Sequence, residues 1–87
     1  MPMGYRDFRD LVRGMADGLD EVWRQPNPNK EGELVVLGKR KDAIFPHVSG
    51  LPVSLPKGDD TVLEDEEVAA HCRAINRLLG RPEDSTC

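Results

Sequence analysis

The chain has little cysteine, few aromatic residues and no long apolar run, and each shortage closes off a class of protein. Its two cysteines fall short of the four or more that a disulfide framework uses in a short secreted domain. Cys72 lies inside a helical pattern and Cys87 is the last residue, so the pair is a poor candidate for a structural bridge and a reducing cytoplasm is the expected location. The longest purely apolar stretch is Leu34 to Leu37, whereas about 20 such residues are needed to cross a bilayer. No basic and apolar leader precedes Tyr5, so neither secretion by that route nor a membrane partner is expected. An excess of positive charge is also missing. Twelve Lys and Arg stand against sixteen Asp and Glu, a net charge of −4. That balance opposes nonspecific attraction to nucleic acid, which depends on counterions released by basic contacts.

What remains has the composition of one globular domain, 87 residues with 38% hydrophobic and 32% charged side chains. A chain of that length buries only about 60 to 65% of the surface its unfolded form exposes. The core must therefore be thin, and a partner or a second copy of the chain would cover further apolar surface.

From Tyr5 to Leu19 the residues Phe8, Leu11, Val12, Met15 and Leu19 recur at helical spacing and predict a first helix. Gly18 loosens its end, and Glu21 to Gln25, with Val22 and Trp23 between polar neighbours, reads as a short strand. The Pro26-Asn27-Pro28-Asn29 run breaks regular structure and makes an exposed loop. Gly32 releases the chain into the strand Glu33 to Leu37. The charged connection Gly38 to Asp42 then leads to Ala43, Ile44 and Phe45, which together read as a hairpin. Leu51 to Leu55, with Pro52 and Pro56 unable to donate to a ladder, predicts an edge strand. Thr61 with Glu64, or Asp60 in its place, suggests a cap for a second helix. Val68, Cys72, Ile75 and Leu79 form that helix's apolar stripe, and Gly80 with Pro82 stops it. The fold class is α+β, a single domain over residues 1–80 with a helix, three or four short antiparallel strands and a helix (α-β-β-β-α). Residues 81–87 form a polar tail expected to fray.

No constellation fixes a chemistry. His47, His71, Cys72 and Cys87 are the soft metal ligands, and four is the number a structural zinc site uses. No CxxC or HxxxH pair joins them, so no metal and no cofactor is expected. Cys72 on an apolar stripe reads as a small buried hydrophobe rather than a nucleophile. His71 beside it reads as a boundary residue. His47 with Ser49 nearby suggests a general base, yet local spacing supplies no orienting carboxylate, so no catalytic residue is assigned. The acidic run Glu64 to Glu67 lacks the spaced oxygen ligands of a calcium loop and suits a helix N-terminus. Lys39, Arg40 and Lys41 form a basic cluster that, on a hairpin tip, could touch phosphate or an acidic protein surface. Trp23 is large for a chain with one Trp, one Tyr and two Phe. It is either the main core plug, which its size favours, or an exposed anchor for a partner.

The order of helix, short strands, the segment Leu51-Pro-Val-Ser-Leu-Pro-Lys-Gly58 and a helix ending Ile75-Asn-Arg-Leu-Leu-Gly80 resembles the small HicA-type toxins, themselves similar to double-stranded-RNA-binding domains. The resemblance spans roughly Tyr5 to Gly80 and implies an RNA-binding or RNA-cleaving protein. The family cleaves RNA with a histidine that follows a glycine-serine pair near the second strand. The corresponding region here reads Glu31-Gly32-Glu33, without that histidine. Relatives lacking it look like accessory proteins of bacterial viruses. The residues thus point first to a non-enzymatic module that binds a protein partner or a second copy of itself through Trp23, Lys39, Arg40, Lys41 or His47. RNA binding of the HicA type and a structural subunit of a larger assembly are the alternatives.

Overall fold

A computed structural model of the chain describes residues 2–39 and 50–85. In chain order the elements are β1 (Met3–Gly4), α1 (Tyr5–Met15), β2 (Leu19–Pro26), β3 (Glu33–Lys39) and β4 (Gly50–Leu55). A short 3-10 turn (Gly58–Asp60), β5 (Val62–Leu63) and α2 (Asp65–Leu78) complete it. The α+β class and the helix–strands–helix order expected from the sequence are both present.

Strands β2, β3 and β4 form an antiparallel sheet in that order, so among the described residues β4 is an edge strand, as its prolines predict. The partner of β3 beyond the connection is β4, and Ala43–Phe45, read as the second arm of a hairpin, lies outside the described residues. Alternation along β3 sends Val35 and Leu37 to one face, opposite Val53 and Leu51 of β4. Val35, Leu37, Val53 and Leu55 are buried there with Tyr5, Phe8 and Val12 of α1 and Cys72 and Ile75 of α2. Both helices therefore cover the same face of the sheet. The shortest extent of the molecule, 19 Å, is that of two layers stacked about 10 Å apart.

The first helix is shorter than its apolar spacing predicts. It ends at Met15, with Ala16 extended, and Leu19 instead begins β2 as a buried residue. Spacing alone cannot tell these cases apart, because Leu19 reaches the same core from a strand. The start of α2 also differs. Glu64, rather than Asp60 or Thr61, is the N-cap, and its backbone N–H donates to the Glu67 side chain at 3.4 Å. Thr61 is buried, and its hydroxyl accepts from the Lys57 N–H at 2.9 Å. Its carbonyl accepts from the Tyr5 N–H at 2.9 Å, where the two-residue strands β1 and β5 pair and join the two helix starts.

At its other end α2 closes as a Schellman motif. Gly80 takes the left-handed conformation at φ 74°, its N–H donates to Arg77 O, and the Arg81 N–H donates to Asn76 O at 2.8 Å. Beyond it residues 81–85 make contacts with both helices. Arg81 donates to the Met15 carbonyl, Glu83 pairs with Arg77 at 2.8 Å, and the Ser85 carbonyl accepts from the Asn76 amide at 2.9 Å. Gly32, at φ 91°, passes so close under the end of β4 that a Cβ there would stand 2.1 Å from the Leu55 carbonyl oxygen.

Candidate functional site

The placement of Trp23 follows from an irregularity in β2. Glu21 lies opposite Leu37 but Trp23 lies opposite Val36, so Val22 is an extra residue, a β-bulge. Beyond it the alternation is shifted. Arg24 stands opposite Val35 on the helix-covered face, and Trp23 points away from the helices, 40% exposed. The core role that its size favoured is thus not the one it has.

Around Trp23 the outer face of the sheet is apolar and nearly uncharged. Leu34 and Val36 of β3 and Pro52 of β4 share its parity, with Gln25 and Ser54 as polar neighbours and Asp20 at the margin. Val36 lies opposite both Trp23 and Pro52, so a stripe of three apolar side chains crosses the sheet. Leu34 and Val36 are half-buried yet belong to no part of the core cluster, and among the described residues no helix covers this face. The sequence does carry a signal for it. Leu34 to Leu37 is apolar at every position, whereas a strand with one solvated face alternates.

Of the other residues singled out by the sequence, Lys39 is the exposed last residue of β3, opposite Leu19 and of the opposite parity to Val36. The structure does not bring it together with Trp23. Arg40, Lys41 and His47 lie outside the described residues.

The bulge also builds a polar cluster on the inner side. Arg24 donates to Glu33 and to Asp59, which ties β2, β3 and the 3-10 turn together, and it approaches Glu21 at 3.4 Å. The bonds to Glu33, first, and to Asp59 hold the Arg24 guanidinium firmly charged, and the bond from Arg24 keeps the Asp59 carboxyl below its usual range. The Tyr5 hydroxyl donates to Glu21, while Arg9 lies 5.7 Å from the Tyr5 ring centroid and 3.9 Å from Glu21. Burial, reinforced by Glu21, pushes the Tyr5 phenol far above its ordinary value. The cluster ties α1 to the sheet through the Tyr5–Glu21 contact and the sheet to the 3-10 turn through Arg24.

His71 packs its ring on Phe8 with centroids 5.7 Å apart, and burial lowers its pKa against the opposing pull of Glu67. Cys72 is disulfide-bonded, contrary to the expectation drawn from the cysteine count. Its sulfur is therefore not a free nucleophile. Among the described residues no group of three or more His, Cys, Asp or Glu side chains is arranged to hold a metal ion, and no helix is long and apolar enough to cross a membrane. Comparison with family models, with curated proteins and with solved structures gives no match.

Proposed function

We propose that the chain is a small non-enzymatic binding module that docks a protein partner on the outer face of its sheet, with Trp23 as the anchor. The observation that carries this reading is the 40% exposed Trp23 on a face otherwise made of Val36, Leu34 and Pro52. Buried aromatic anchors supply a large share of interface energy, and such a face is short of the charges that make desolvation costly. Three strands about 4.8 Å apart and some seven residues long give a footprint of about 300 Å². That is small beside the roughly 800 Å² per partner of a standard interface, so the association is transient, or the partner reaches beyond the sheet. The near absence of charge on the face favours an apolar protein surface over a polyphosphate, which would need basic contacts.

The test is a pull-down with the tagged chain and with its Trp23→Ala variant, each with and without nuclease, alongside light scattering over a range of concentrations. A nuclease-resistant protein held by the parent chain and lost by the variant supports the reading. A dimer that Trp23→Ala disperses makes the partner a second copy. RNA retained by both chains and lost on nuclease treatment would replace this reading with the HicA-type one, and retention of nothing by a monomer would overturn it.

A further inference from the structure

The two faces of the sheet differ in how far their apolar surface extends. On the inner face it reaches both edges, with Leu19 on β2 and Val53 and Leu55 on β4, and two helices pack there. On the outer face, among the described residues, it is confined to Trp23, Val36, Pro52 and Leu34, with Gln25 and Ser54 flanking Leu34 and Asp20 at the margin. Trp23 and Pro52 stand two strand spacings apart, about 10 Å, and Leu34 lies about 7 Å from Val36 along β3. A patch of that size matches two turns of one α-helix, where positions i and i+7 are about 10 Å apart on a cylinder about 10–12 Å across.

We infer, resting on the reading of this face as a docking surface, that its occupant is an amphipathic α-helix of a partner protein, laid along the stripe Trp23–Val36–Pro52 with apolar residues at i, i+3 or i+4, and i+7. Area argues against a second copy of the chain. Two such faces pressed together would bury about 600 Å² in all, half or less of the roughly 1,200–2,000 Å² of a stable interface. Backbone chemistry argues against an extended segment. Laid on an apolar face, a lone strand would bury N–H and C=O groups with nothing to pair them, and supplying neighbouring strands would make the occupant wider than the patch. A helix satisfies its own backbone and brings only side chains to the surface. Side chains three and four apart on that helix are neighbours and leave a hollow between them, which takes the protruding indole of Trp23 as the anchor.

The experiment places a photo-reactive side chain at the rim of the patch, in the full-length variants Gln25→p-benzoylphenylalanine and Ser54→p-benzoylphenylalanine, so that the four apolar residues stay intact. After irradiation in lysate, the crosslinked positions on the captured protein are mapped by mass spectrometry. They should fall three or four residues apart in one segment. A synthetic peptide of that segment, added to the parent chain, should shift the emission of Trp23, the one tryptophan, to the blue and gain helical circular dichroism. A proline at the peptide's centre should weaken binding on the order of tenfold or more. Crosslinks two residues apart, crosslinks to this chain's own residues, or a peptide that binds without gaining helix would overturn the helical occupant while leaving the outer face as a contact surface. Absence of any crosslink, together with a pull-down indifferent to Trp23→Ala, would overturn the docking face and the helix with it.

Discussion

The two faces of β3 differ by one residue in sequence and by almost everything in use. Val35 and Leu37 are fully buried under both helices, whereas Leu34 and Val36, of the same chemical kind, belong to no part of that core. Composition does not separate them. What does is parity along the strand, together with the packing of both helices on one side; among the described residues no helix covers the apolar side chains of the other.

That contrast can be broken at several points. The largest effect is expected at Leu37→Ala, which opens a cavity in the thin core and should cost about 2–5 kcal/mol in chemical denaturation. Val36→Ala, one residue away, should cost about 1 kcal/mol or less, and equal losses at the two positions would erase the distinction between the faces. Next is Gly32→Ala, where a left-handed backbone and the Leu55 carbonyl leave no space for a methyl group. It should cost about 2–3 kcal/mol, and a neutral result would mean that the approach of the turn to β4 does not hold the register. Trp23→Ala should change stability by about 1 kcal/mol or less while weakening any partner by tenfold or more, about 1.4 kcal/mol in binding. A stability loss as large as that of Leu37→Ala would place the indole in the core after all.

The smallest effect concerns pH. Burial lowers the folded pKa of His71 below its ordinary value of about 6.5, so the unfolded chain binds the proton more readily. The stability this contributes is fully present above the unfolded value and is lost as pH falls through the folded one. Denaturation midpoints measured from about pH 7 down to 5 should therefore decline, and His71→Gln should flatten that decline. An unchanged slope would show that His71 is not desolvated by its place against Phe8.

How much of this was legible beforehand depends on the range of the interaction. The stripes of the two helices, the strand Glu33 to Leu37 and the edge character of β4 all follow from spacing, β-branching and proline, which act within a few residues. The β1–β5 pair was not legible, because two residues carry no period and their partners lie across the chain. The same holds for Arg24, whose partners Glu33 and Asp59 are 9 and 35 residues away. Of the two places the sequence leaves open for Trp23, its size favours the core and the structure shows the exposed one, since nothing local announces a bulge at Val22. The disulfide was missed for a related reason. A count of cysteines carries no information about which sulfurs a fold brings together.

Val22 acts on the pattern of side chains as an inserted base acts on a reading frame. Before it, the odd positions of β2 face the helices; after it, the even ones do. Drawing that residue into the ladder without a bulge would set Val22 opposite Val36, carry Trp23 inward beside Val35, and turn Arg24 outward, away from Glu33 and Asp59. No side chain would be altered, yet the outer stripe would lose its indole and the polar knot would come undone together. What the molecule presents to its surroundings thus depends on the register of one strand more than on the identity of any one residue.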